Sequence, residues 1–377
     1  MVKENISTTQ LFSLIFILLL GSALIVGIGI EAERDAWIAV FLATLFGVGL
    51  GLFYFQLVAL RPGSNLFEIM EYCFSRPIAI GLGMVYIIYF LYQSSRVTRD
   101  FSELITVAIL PITPIEMISV TFLLVIAYMI YLGFEVFARV TEIFLPYLFL
   151  FLFLFVIFLF ASGLVDFNYL LPVLGDGFTP VLKALFPTLL TFPFGELIVL
   201  TMILPNVGKF DRCKGTVLLA ILIGGIFLTI IMFLILITIG PDMMHNKAFP
   251  LLTASRRIAL GEFIERIEAL VVFLMLLSAL GKVTIFLYCG LIGLQYIFRV
   301  PYKFFALPIA MVVSAASNVI SLDFAEHMEE GLRFTTNIFH PPMQLVIPFV
   351  IFIMLMIKKR RNPSSQQDQK QKKGVQS

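Results

Sequence analysis

Charge, cysteine and histidine are scarce in this sequence, and tryptophan occurs once. Of 377 residues only 13% are Asp, Glu, Lys or Arg, while 60% are apolar. A soluble domain carries about 25% charged and about 45–50% apolar residues, so a water-soluble helical enzyme is excluded. The three cysteines, Cys73, Cys213 and Cys289, form no C-x-x-C pair, and no histidine stands beside them at metal-ligand spacing. His245, His327 and His340 fall in stretches that read as connections. No disulfide framework, metal or cofactor is therefore expected. A Walker A loop, H-E-x-x-H and G-x-S-x-G are all missing, and with no nucleophile–base pair in view no enzymatic activity is expected. The glycines of GVGLGLF, residues 47–53, follow no strand and read as a packing face. A net charge of +2 assigns no partner, and no nucleic acid is expected.

What the sequence has is apolar length. Mean hydropathy is +1.02, and charge falls between apolar stretches of roughly 20 residues, enough to cross a bilayer. Ten spans are read: Gln10–Ile30, Ala36–Leu60, Ile78–Leu110, Ile115–Leu132, Glu135–Ser162, Val181–Leu204, Gly215–Gly240, Glu262–Gly290, Tyr302–Leu322 and Pro341–Ile357. This is an all-α polytopic membrane protein, with one transmembrane domain over 1–361 and a polar, disordered cytoplasmic tail over 362–377. The first segment resembles a signal peptide, but Gly21-Ser22-Ala23 lies inside the apolar run, so a retained helix is expected. Asn65–Phe74 and Leu291–Phe298 read as amphipathic helices lying at the interface.

Orientation follows the positive-inside rule. With both termini cytoplasmic, the inner connections hold Lys3, Arg61, Arg76, Arg139, Lys209, Arg212, Lys214, Arg299 and Lys303, and the last span exits through Lys358-Lys359-Arg360-Arg361. Acidic EAERD at 31–35 and DFAEHMEE at 323–330 fall outside. Arg256-Arg257, in the long connection from Pro241 to Gly261, is the exception. The cysteines lie on or near the cytoplasmic side, where thiols stay reduced.

Two spans carry helix-breaking chemistry. In the sixth, Thr191-Phe192-Pro193-Phe194-Gly195-Glu196 places proline, glycine and a carboxylate at mid-membrane. Broken backbone is tolerated in lipid only against protein or a wet cavity. Glu196 is either a functional carboxylate near a half-helix N-terminus or a neutral residue in a kinked packing helix. The first span carries GSALIVGIG, residues 21–29, in which Gly21, Ser22 and Ala23 suit either a break or close packing. Interruptions at corresponding positions of two halves point to a transporter-type site. Spans one and six each open a group of five, so an inverted repeat is expected over about 6–162 and 181–357.

The third span bears a polar face of Tyr89, Tyr92, Gln93, Arg96, Arg99, Asp100 and Glu103 at helical spacing. It is either an internal salt-bridge stripe, with Arg96 and Arg99 paired to Asp100 and Glu103, or a cavity wall to which Tyr92, Gln93 and Arg96 contribute. In the eighth span, after EFIERIEAL, Ser278, Gly281, Lys282, Thr284 and Tyr288 interrupt the apolar run. Lys282 either snorkels to the cytoplasmic surface or stands where other transporters hold sodium, as an ion-coupling group alongside Glu196.

Four short motifs occur together: ISTTQ at 6–10, LPITP at 110–114, TFPFGE at 191–196 and RIEAL at 266–270. In this combination the chain resembles the spore germination permease family, the B subunits of germinant receptors, over roughly Ile6 to Ile357. The resemblance implies the amino acid–polyamine–organocation superfamily and a LeuT-like five-plus-five fold with broken helices one and six. It also implies a nutrient sensor in the spore inner membrane, partnered by an A subunit and a C lipoprotein subunit. The expected ligand is a small nutrient such as an amino acid, held at the midplane; the alternative is a proton- or sodium-coupled amino-acid transporter.

Overall fold

The polar pentad before the first span is a helix cap. Ser7 Oγ accepts from Gln10 N at 3.1 Å, and Gln10 Oε1 accepts from Ser7 N at 3.0 Å, a capping box that satisfies donors the helix leaves free. The computed structural model describes residues 5–208, 210, 213–258 and 267–361. Lys3, Lys209, Arg212, the segment 259–266 with Glu265 and Arg266, and the tail 362–377 lie outside the described residues.

Among the described residues, ten helical segments are long and apolar enough to cross a membrane: Thr8–Val26, Ile30–Ala59, Arg76–Ala108, Ile115–Leu132, Phe134–Ala161, Thr179–Asn206, Cys213–His245, Glu268–Phe298, Tyr302–Val319 and Phe324–Arg360. They are called spans one to ten. Span one consists of α1 (Thr8–Leu20) and α2 (Ala23–Val26); span two contains α3 (Ala36–Ala59); α4 (Leu66–Cys73) is a short connecting helix. Spans three to five are α5 (Arg76–Ala108), α6 (Ile115–Leu132) and α7 (Phe134–Ala161). Span six runs from α8 (Thr179–Ala184) to α9 (Leu200–Ile203) and beyond; span seven is α10 (Cys213–His245), followed by α11 (Pro250–Arg256). Spans eight and nine contain α12 (Glu268–Phe298) and α13 (Ala306–Val319); span ten joins α14 (Phe324–Glu329) to α15 (Ile347–Arg361) through π-helical turns.

Spans one and six are the most enclosed, and span five presents most of its surface outward. Its residues Ile143, Leu150, Phe153, Ile157 and Phe160 are exposed, as expected of a lipid-facing apolar helix. Close approach depends on missing side chains. A β-carbon on Gly281 would lie 1.9 Å from Ile17 Cγ2, so spans one and eight touch backbone to side chain. In the GVGLGLF run, Gly47 leaves the space that the Phe194 ring fills and Gly51 the space for Ile221, while Gly49 faces open space.

Alternating span ends gather on two faces. On one, Arg61 lies 4.0 Å over the Tyr72 ring and Lys358 donates to Tyr72 O at 2.6 Å; Ile6, near the start of the chain, bridges to Val207 after span six. On the other face, Arg256 donates to Val107 O at 3.1 Å and Arg257 to Thr238 O at 3.4 Å. This pair was the exception to the charge rule, and it serves the carbonyl ends of spans three and seven, where cations are favoured. All three cysteines are buried and none is in a disulfide, and burial pushes the Cys73 thiol up to about 11, consistent with an inert packing role for Cys73.

Four expectations are corrected. Span ten begins at Phe324, not Pro341, so DFAEHMEE is largely helical; His327 and His340 are buried in the bundle instead of lying in connections. Its polar residues pair with span three, which hides them from a hydropathy reading. Span seven continues past Gly240, a break with φ 73°, to His245, and α11 occupies part of the supposed long connection. Leu291–Phe298 is no separate interfacial helix but the end of α12, which stops only at the left-handed Arg299 (φ 58°) before Pro301. Asn65–Phe74 does hold a separate helix, α4, capped by Asn65.

Gly281→Leu is expected to destabilise the purified chain by about 1–3 kcal/mol or more, since overpacking strains a tight contact. Gly49→Ala, facing open space, should leave the melting temperature in detergent unchanged or slightly raised. Equal melting temperatures for Gly281→Leu and the wild type would contradict the contact.

Candidate functional site

Both interrupted spans break in the middle. α1 ends at Leu20, Gly21 departs from helical geometry with φ 7° and ψ −122°, and the four-residue α2 follows Ser22. In span six, α8 passes into a π turn at Leu185–Leu189, a turn at Phe192-Pro193, and a 3-10 stretch at Phe194–Val199 before α9. These breaks lie side by side, joined by a side chain from span eight. Lys282 Nζ stands 2.5 Å from Glu196 Oε2, donates to Ser22 Oγ at 3.2 Å and lies 4.6 Å from the Phe192 ring centroid. Glu196 is 1% exposed and Lys282 0%, so Lys282 does not snorkel. One charge at mid-membrane costs about 2.5–3.5 kcal/mol on insertion scales; two opposite charges in contact offset much of that.

Beside the clasp is a small cavity of about 40 Å³. Its polar wall is Ser22 from span one, Gln93, Arg96 and Asp100 from span three, and Glu196 from span six; span ten adds Thr335 and His340. Val26, Val97, Phe192, Met328 and Leu332 supply apolar surface. A water needs about 10–15 Å³ of such space, whereas small-molecule pockets are about 300–1,000 Å³. In this conformation the cavity has room for a few waters, and a larger solute fits only when a wall moves.

The polar face of span three meets span ten. Tyr92 Oη and Thr335 Oγ1 are 2.9 Å apart, and Gln93 hydrogen-bonds His340. Arg96 donates to the His327 carbonyl, and Asp100 Oδ1 lies 2.9 Å from His327 Nε2. Arg99 pairs with Glu103 at 2.8 Å, as its spacing predicts. Arg96 and Asp100, by contrast, turn to span ten, with Glu330 at 3.8 Å from Arg96. Deeper, Tyr86 Oη donates to Met343 O at 2.8 Å and Gln344 Nε2 to Tyr89 Oη at 2.8 Å. Tyr54 Oη lies within hydrogen-bond distance of both Gln344 O (2.7 Å) and Gly195 O (3.2 Å). Span ten is π-helical over Glu330–Phe339 and Pro342–Val346, and such turns concentrate at functional sites.

Of the residues singled out in the sequence, Ser22, Gln93, Arg96, Phe192 and Glu196 line the cavity, and Tyr92 and Lys282 stand just behind it. Gly21 and Gly195 give room to side chains: a β-carbon on Gly21 would lie 2.0 Å from Lys282 Cδ, and one on Gly195 2.0 Å from Gln344 Oε1. Ala23 is buried in the short α2. Thr191 Oγ1 donates within its own span to Pro187 O at 2.9 Å, and Phe194 packs on Gly47; Pro193 forms the turn between them. Ser278 and Thr284 donate to Leu274 O and Leu280 O one turn back, away from the cavity. Tyr288 stacks on Phe134 at 3.9 Å and accepts from Asn206 at 3.1 Å, also away from it.

Span ten was missed as a wall. One signal was available: Asp323 caps Glu326 N at 2.9 Å, a D-x-x-E helix start. The inward residues His327, Gly331, Thr335, His340 and Gln344 are spaced four or five apart, wider than the 3.6 residues of an α-helical turn, and so escape an α-helical reading.

Among the described residues, an all-helical bundle with ten long apolar helices, two of them interrupted beside a polar cavity, is the build of a polytopic membrane protein. The sequence profile of spore germination proteins matches residues 5–324. The chain is 31% identical to spore germination protein KB of Bacillus subtilis (strain 168), covering 99% of this chain and all of that protein. It is also 25% identical to spore germination protein YndE (74% of this chain, 77% of that one) and 24% identical to spore germination protein A2 (78% and 79%), both of Bacillus subtilis (strain 168). The chain belongs to the spore germination permease family, a family of receptor and transporter proteins and not of enzymes.

Removing one partner of the clasp leaves an unpaired buried charge, at a cost of about 3–5 kcal/mol. Lys282→Met is therefore expected to lower the melting temperature of the purified chain steeply, and Glu196→Gln/Lys282→Met to recover most of the loss. A double variant no more stable than Lys282→Met would show that the pair contributes no coupling.

Proposed function

We propose that this chain is the nutrient-sensing B subunit of a spore germinant receptor, binding a small zwitterion such as an amino acid between spans one, three, six and ten. The observation that carries the reading is the Glu196–Lys282 clasp joining two broken helices beside a polar cavity. Charges around that cavity balance. Glu196 is matched by Lys282, and the Asp100 carboxylate and the Arg96 guanidinium share the opposite wall, so a zwitterion enters without adding net charge. Its ammonium faces Glu196, and its carboxylate faces Arg96 and the break at Ser22. The closed cavity is one end of an equilibrium that the ligand shifts by binding the other state better.

Breaks in spans one and six, five spans apart, support a LeuT-like inverted repeat over about 6–162 and 181–357, within one transmembrane domain. The resemblance supports the spore inner membrane, cytoplasmic termini, and A and C lipoprotein subunits as partners that read the shift. A second reading has one observation in its favour: Glu196, lining the cavity and held by Lys282, suits a proton-coupled amino-acid transporter.

Spores lacking this chain are expected to lose germination on at least one single amino acid, with the intact chain restoring it and Gly195→Leu failing to restore it at equal protein level. An undiminished response from Gly195→Leu would reject the site. Gradient-driven amino-acid uptake by the purified chain alone in proteoliposomes would favour the transporter.

A further inference from the structure

Gly331 lies on the cavity wall, at the start of the π-helical stretch of span ten, and Arg96 covers it. A β-carbon built on Gly331 would stand 2.3 Å from Arg96 Nη2 and 3.2 Å from Cζ. The guanidinium therefore rests on bare backbone. It is anchored there by the His327 carbonyl, by the Tyr92 hydroxyl at 3.4 Å and by Glu330 at 3.8 Å. Two of its five N–H donors are engaged by His327 and Tyr92. The planar fork keeps donors for an anion in the cavity that both residues line.

We infer that Gly331 is a specificity-determining residue of this site: its missing side chain is the seat that holds the Arg96 guanidinium at the wall, where it reads the carboxylate of the ligand. The inference rests on the nutrient-binding reading above and adds to it the residue that sets the position of the anion receptor. A β-carbon at 331 requires the guanidinium end of Arg96 to shift. Span ten blocks it on one side and the Tyr92 ring, 5.8 Å from Cζ, on its own helix. The open direction is the cavity, whose 40 Å³ a displaced guanidinium would fill. The same construction recurs at Gly21 under Lys282 and at Gly195 under Gln344, but those seats hold side chains already paired to protein. At Gly331 the seated group also faces the ligand space.

The test uses the purified full chain and its melting temperature. A mixture of the proteinogenic amino acids is applied first, then each alone, then the carboxamide of any that stabilises. The wild type is expected to favour the amino acid over its amide by at least about tenfold in half-saturating concentration, since a site built around a polar group rejects the analogue lacking it. Gly331→Ala should melt near the wild type without ligand, need at least about tenfold more amino acid, and lose the acid–amide distinction. A Gly331→Ala chain that binds and discriminates like the wild type overturns the inference alone. A wild type stabilised by no amino acid overturns the nutrient reading, and this inference with it. If Gly331→Ala does not fold, Arg96→Met, which keeps the stem and removes the charge, must lose the same distinction; retained discrimination there overturns the inference.

Discussion

A lysine ammonium and a glutamate carboxylate lie 2.5 Å apart at the centre of the bundle, neither exposed to water. Each alone would be costly at that depth. Together they allow two membrane helices to be broken and still held in register, because Lys282 reaches from span eight across Gly21 to Ser22 and Glu196. The breaks bring irregular backbone to the edge of a cavity and away from lipid, where it would not be tolerated. The meeting of the two breaks and the seat at Gly21 depend on that one contact.

Span ten is held differently. Hydroxyls, amides, a guanidinium and a carboxylate from span three bind it along its length, with Tyr54 of span two adding a contact to its carbonyls. Polar contacts of this kind exchange readily for equivalent contacts to a charged ligand, while packed apolar faces do not. A cavity of about 40 Å³ widens most cheaply where its wall is polar, and that wall is the first half of span ten.

Glycine serves the site by absence. At Gly21, Gly195 and Gly331 a β-carbon would collide with a lysine stem, an amide oxygen and a guanidinium respectively. In each case the glycine lets a long polar side chain from another span cross the helix surface. The first two lie in the interrupted stretches that pointed to a transporter-type site, and the space beside them is taken by Lys282 and Gln344.

Span number, the two interruptions and the polar face of span three were legible in the residues themselves, because hydropathy, proline and glycine act locally. Glu196, Lys282, Gln93 and Arg96 stood out for the same reason: a polar group in an apolar run is visible without knowing its partner. Which groups meet was not legible. Lys282 had two destinations until the fold set Gly21 and Glu196 beside it. Arg96 and Asp100 had satisfactory partners within their own helix until span ten supplied His327 and Glu330. Span ten itself was obscured because its inward residues follow a π-helical spacing and its polarity is cancelled by contacts distant in the chain. Local chemistry determined where the membrane helices run and break; only the tertiary packing decided which buried charges neutralise one another, since that depends on distances no single segment contains.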